Sequence, residues 1–235
     1  MEDDRIYEPM EDTPGEKLGR IVKSTVKWLF LIAVILFFGT MFLRMCLSED
    51  TAKAKRYLWT DESAALYAAD PAAYEVYEMK LTDNYSEMGY FYTDNERYAP
   101  AAKEFQFTVR YNDSTLRYLM EKYGISEAEL PEEPFLYVLS DGSSTWTAYG
   151  SLSDHRALHN YRRLIFTGVE VTEATGALTL SIYYAGDLSE AYASLDVYRS
   201  TTPVTAYKLK KNELPGADSG MDDVVWYQHD PEMLG

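Results

Sequence analysis

"EFQFTVRY" runs from Glu104 to Tyr111. Phe105, Phe107, Val109 and Tyr111 fall on one side of it, and Glu104, Gln106, Thr108 and Arg110 on the other. A period of two marks a strand with one face in a core and one in water. "ALTLSIYY" (177–184) repeats the pattern with Leu178, Leu180, Ile182 and Tyr184 inward. Working outward, "VYEMKLT", "GYFYT", "PFLYVLS", "STWTAY", "RRLIFTGVEV", "ASLDVYR" and "VTAYKLK" are further strand candidates. Asp141-Gly142 predicts a hairpin turn, and Gly168 a bulge. Many short strands separated by turn signals predict a mainly β domain over residues 73–210, built as an antiparallel β-sandwich of about eight or nine strands. Strands do not alternate with helices, so a parallel α/β sheet is not expected.

Two short helices interrupt the strands. In "NDSTLRYLMEKYG" (112–124), Ser114 or Thr115 is a candidate cap, Leu116, Leu119, Met120 and Tyr123 have helical spacing, and Gly124 is a stop. "ESAALYAAD" follows Asp61, a second candidate cap, within a juxtamembrane stalk assigned to residues 48–72. Residues 211–235 turn acidic and carry Pro215, Gly216, Gly220 and Pro231, which predicts a flexible tail. Within that tail "VVWYQ" (224–228) is apolar enough to pack back on the domain, with docking on a partner as the alternative.

"WLFLIAVILFFGTMFLRMCL" (28–47) has no charge before Arg44. About 20 apolar helical residues cross a bilayer core, and Arg44 lies near one end, where its guanidinium can reach the headgroups. A secretory signal would have a shorter apolar region and a small-x-small cleavage site, whereas "FLRMC" is bulky and charged. An uncleaved transmembrane helix over residues 21–47 is the expectation. Lys23 and Lys27 flank its start, while Glu49 and Asp50 dilute the positive charge beyond its end. This predicts a cytoplasmic N-terminus, an acidic disordered tail over residues 1–20 inside the cell, and an extracytoplasmic C-terminal domain at the cell membrane. Cys46 reads as an apolar residue at the helix end, with acylation as the alternative.

The net charge is −16, nearly all of it after the apolar stretch. So acidic a domain repels phosphate backbones, and nucleic acid is set aside as a partner. With one cysteine there is no intrachain disulfide and no multi-cysteine zinc site. His155 and His159, four apart in "SDHRALHN", would share a helix face with Asp154 as a third ligand, but a polar loop between strands is the better reading. Serine-nucleophile motifs and phosphate-cradling loops are missing, so neither catalytic residues nor cofactors are assigned. Carboxylates such as Glu96, Asp141 and Asp154 keep open an envelope hydrolase. "TDNERY" (93–98) has the oxygen content of a calcium loop without its glycine or terminal glutamate.

Tyrosine is abundant, at 21 residues. Such rings pack well in strands and also suit interfaces. Tyr90, Phe91, Tyr92 and Tyr98 cluster in "GYFYTDNERY" and form the candidate partner surface. Arg110, Asn112 and Asp113 are candidates for organising the strand-to-helix turn through bonds to backbone.

An acidic tail, one span and "AKEFQFTVRYNDSTLRYL" (102–119) together resemble single-span, membrane-anchored Ig-like β-sandwich envelope proteins of Gram-positive-type bacteria. The resemblance centres on residues 101–119. It implies an immunoglobulin-like sandwich and carries over no catalytic residue. The expected function is a binding or assembly module for an envelope or membrane protein. The alternatives are a sensor that signals through its N-terminal tail, and the carboxylate hydrolase.

Overall fold

The computed structural model describes residues 14–81, 85–86, 90–148, 150–156, 159–217 and 225–227. The chain divides into two units, Met1–Ser48 and Glu49–Gly235.

Helix α1 (Pro14–Ala54) opens on a proline, whose missing N–H is no loss in a first helical turn. Within it Val22–Leu43, 22 residues with a mean hydropathy of 2.3, has none of its surface buried. At 1.5 Å per residue that stretch is about 33 Å long, enough for a hydrocarbon core of ~30 Å. Thr40 returns its hydroxyl to the carbonyls of Leu36 (2.7 Å) and Phe37 (2.9 Å), so this polar side chain is satisfied inside the helix.

The second unit is a β-sandwich. Its elements are α2 (Asp61–Ala69), β1 (Tyr77–Met79), β2 (Phe91–Ala99), β3 (Glu104–Asn112), α3 (Asp113–Tyr123), β4 (Phe135–Ser140), β5 (Thr145–Thr147), β6 (Gly150–Arg156), β7 (His159–Phe166), β8 (Ala177–Tyr184), β9 (Ala193–Arg199), β10 (Val204–Ala206) and β11 (Val225–Tyr227). A seven-stranded sheet has the order β10-β1-β2-β3-β7-β6-β11, and a four-stranded sheet the order β5-β4-β8-β9. Every described pairing is antiparallel. The inward faces meet as the alternation requires. Phe105, Phe107 and Val109 of β3 join Leu164 and Phe166 of β7 on one side, against Leu139 of β4 and Leu180 and Ile182 of β8 on the other. Phe107 stacks on Phe166 at 5.5 Å, and Phe91 meets Phe135 edge-on at 5.1 Å.

Several boundaries move from their expected places. The helix caps are Thr60 and Asn112, each one residue or more before the candidates named above. Thr60 and Ser63 form a reciprocal capping box that leaves Asp61 as the first helical residue. "RRLIFTGVEV" stops as a strand at Phe166. Gly168 (φ 74) lies beyond it, with its carbonyl accepting from Trp146 Nε1 at 3.2 Å. "SDHRALHN" supplies the facing ends of β6 and β7 instead of a loop, with His155 opposite Asn160 and Arg156 opposite His159. Val225–Tyr227 pairs with β6, so this part of the tail packs back on the sheet.

Candidate functional site

Strand β2 and the bulge within it distribute the aromatic cluster, whose first member, Tyr90, immediately precedes the strand. Phe91 and Tyr98 point into the sandwich and are buried. The Tyr98 hydroxyl accepts from the Val171 N–H at 3.1 Å. Tyr90 and Tyr92 stay half-buried and diverge. Tyr90 packs on Tyr118 of α3 (centroids 5.1 Å) and lines a groove of about 530 Å³ along β9, with Tyr85, Tyr192, Ser194, Asp196 and Arg199. Tyr92 packs on Tyr85 (4.9 Å), carries the Arg110 guanidinium over its ring (4.7 Å), and lines a second recess of about 290 Å³. The four expected surface residues are therefore two core residues and the walls of two neighbouring concavities. Tyr85 belongs to both, and sequence reading missed it, as it did Tyr192.

The groove runs beside the outer strand of the four-stranded sheet. β9 pairs with β8 on one edge, and no other described strand covers its second edge. The register slips between Leu178 and Thr179, so Val197 is bulged, and Asp196 holds both Thr179 Oγ1 and Arg199 Nε at 2.9 Å. Bulges and charges of this kind keep an exposed edge from pairing indiscriminately.

Residues 93–98 form the second recess. The register slips between Asp94 and Arg97, so Asn95 and Glu96 together face Phe107. Asn95 takes a left-handed φ of 58, which asparagine tolerates better than most residues. The stretch with the oxygen content of a calcium loop is thus a strand with a bulge. Glu96 is 3 % exposed, and burial pushes its carboxyl up to about 7 against the stabilising Thr93 hydroxyl. Asn95 Nδ2 and Glu96 Oε1 are buried without a hydrogen-bond partner.

Arg110, Asn112 and Asp113 find partners other than the expected backbone groups. Asn112 caps α3 by position without a side-chain bond to the helix, and its Oδ1 accepts from His159 Nδ1 at 2.5 Å. Asp113 accepts from Asn160 Nδ2 at 3.0 Å. The turn is therefore tied to β7. Asp141 accepts from the N–H groups of Ser143 and Ser144, a turn-forming role at the β4–β5 hairpin. Lys23 and Lys27 are exposed on α1. The side chains of Arg44, Cys46, Asp154 and His155 are not described, and residues 1–13 lie outside the described residues.

In comparisons with known proteins, no family model, no curated protein and no solved structure matches this chain. The geometry alone carries the functional argument.

One more feature escaped sequence reading. The polar face of β3 is not solvated: Glu104, Gln106 and Thr108 are all buried. They lie beneath two straps, residues 55–60 before α2 and residues 207–213 after β10. Gln106 exchanges hydrogen bonds with the Leu58 backbone, accepting at 3.1 Å and donating at 2.7 Å, while the Thr60 hydroxyl donates to Glu104. Glu213, from the expected flexible tail, is 3 % exposed and pairs with Arg97 at 3.1 Å. It also accepts from the Tyr57 N–H (3.0 Å), the Lys210 N–H (2.9 Å) and the Tyr207 hydroxyl (2.8 Å). Burial raises its pKa, but these donors and Arg97 outweigh that and hold it below the ordinary carboxylate range. Arg163, fully buried, holds the bulge by donating to the Asn95 carbonyl at 2.9 Å. Burial, and then the charge of Arg97, push its pKa down to about 9, which leaves it protonated at neutral pH. The stalk expected over 48–72 is thus, from residue 55, part of the sandwich. Among the described residues no three His, Cys, Asp or Glu side chains are grouped to hold a metal.

Proposed function

We propose that this chain is a single-pass membrane protein whose β-sandwich stands outside the cell membrane and binds or assembles with an envelope partner protein. Its cytoplasmic side is the N-terminus, on the bias given by Lys23 and Lys27. The observation that carries the reading is the tyrosine-lined groove beside β9. Aromatic rings with polar tips are enriched at protein interfaces, and an edge strand offers backbone donors and acceptors to an incoming extended segment. The unburied apolar surface of Val22–Leu43 supports a bilayer as its surroundings. The test is co-purification. The tagged full chain is crosslinked briefly in native membranes, extracted in mild detergent, and examined for proteins in near-equal amount. One membrane or envelope protein is expected, and Ser194→Arg, an exposed change in the groove, should remove it. Recovery of no such protein, or its full recovery with Ser194→Arg and with Tyr90→Ala, would overturn the assignment.

A further inference from the structure

We propose that the recess at the β2 bulge is a second binding site, and that its ligand is a neutral hydroxylated ring, a sugar unit. This goes beyond the partner groove and rests on different polar groups, with Tyr85 the one wall that the two concavities share. The recess is lined by Glu78, Lys80, Tyr85, Tyr92, Asn95 and Glu96 among others and measures about 290 Å³. That is near the lower bound of small-molecule sites, about 300 Å³, and suits one small ring.

The two orphaned groups decide the chemistry. A buried polar atom without a partner is costly, and native structures keep few of them. Here an acceptor, Glu96 Oε1, and a donor, Asn95 Nδ2, are orphaned on consecutive residues of one bulge, and both residues line the recess. Bulges are a recurring device for re-aiming side chains beside binding sites. The backbone of Tyr85 is bridged to Tyr92, and Ser86 N–H donates to the Phe91 carbonyl at 3.0 Å, so the aromatic wall is pinned to the strand that carries the bulge. Tyr85 is 59 % exposed and offers ring surface at the mouth.

Other ligand classes fit less well. Asp94 is engaged by Lys55 at 2.8 Å and Glu78 by Lys80 at 3.2 Å, so two of the three carboxylates already have cations. An ammonium ligand has no acceptor for Asn95. An anion would be set against Glu96, while the nearby Lys55 and Lys80 are already engaged by Asp94 and Glu78. Hydroxyl groups on adjacent ring carbons donate to Glu96 and accept from Asn95 together, while the C–H face of the ring lies on Tyr85.

The test uses the full chain in lipid nanodiscs, because glycoside detergents would compete. Saturation-transfer NMR is recorded with methyl β-D-glucopyranoside and N-acetylglucosamine, with methylammonium as a charged control observed directly and inorganic phosphate as a charged control added in competition with the sugar signal. Transfer to sugar ring protons is expected, with affinity on the order of 1 mM. Asn95→Gly preserves the left-handed backbone and removes the donor, so the fold should survive while binding weakens roughly tenfold. Tyr85→Ala, an exposed change, should weaken it as well. No transfer to either sugar, equal transfer in both variants, or stronger binding of methylammonium or phosphate would overturn the proposal. Capture of the envelope partner by Asn95→Gly should be unchanged, which separates failure here from failure of the groove.

Discussion

At Glu96 a carboxyl sits in a strand bulge, and the consequence is a pH dependence with a definite sign. Burial raises its folded-state pKa from 4.5 to about 7. The folded chain therefore binds the proton more tightly than the unfolded chain does. The associated stability is full below pH 4.5 and is lost as pH rises through about 7. Glu104 and Glu133, also raised by burial, act in the same sense. Glu213 has a lowered pKa and acts oppositely, its stability being lost as pH falls through the folded value. Glu96→Gln isolates the first effect. Urea titrations of wild type at pH 4.5 and above pH 7 should differ by about 3 kcal/mol more than those of the variant. Parallel pH profiles would mean that Glu96 titrates normally. None of this is legible in "TDNERY". Its oxygen-rich side chains resemble a calcium loop in composition, and only the pairing with β3 reveals that two residues share one position opposite Phe107.

Among the elements, those whose apolar residues alternate were readable: β3, β8 and the amphipathic α3 all lie where their patterns place them, within a few residues. The straps were not, because the polar face of β3 looks the same whether water or chain covers it. Glu213 joins both straps to the sheet, and removing it leaves the buried Arg97 without its carboxylate. Glu213→Ala should therefore cost about 3–5 kcal/mol, read from denaturation midpoints. It should also speed hydrogen exchange at Tyr57, whose N–H loses its acceptor. A loss below about 1 kcal/mol would place the pair among the weak surface bridges. At the end of α3, Gly124 has φ 64, and a Cβ there meets nothing within 4 Å. Gly124→Ala should thus cost only the left-handed conformation, about 1 kcal/mol.

On the scale of the whole molecule the apolar helix was the easiest feature to read, since a 22-residue stretch of such hydropathy needs no tertiary context to be recognised. The two concavities were the hardest. Each combines side chains from separate segments, Tyr85 and Tyr90 with β9 in one and Glu78 with Asn95 and Glu96 in the other, and no spacing in the chain announces their meeting. A membrane anchor makes demands that a cleaved leader does not. The chain should resist alkaline extraction from membranes and keep Val22–Leu43 covalently joined to the sandwich, as peptide mapping of the extracted pellet would show. Ile32→Arg puts a charge near the middle of Val22–Leu43 and should cost about 3 kcal/mol of insertion, seen as a fall in the membrane-integrated fraction. The flanking lysines set the direction. A reporter that is active only outside the cytosol, fused after Gly235, should be active, and Lys23→Glu with Lys27→Glu should reduce that activity by inverting part of the population. An extractable chain shortened past Leu43 would identify the helix as a leader. An inactive reporter on a full-length chain would place the sandwich, its tyrosine groove and its bulge recess on the cytoplasmic side.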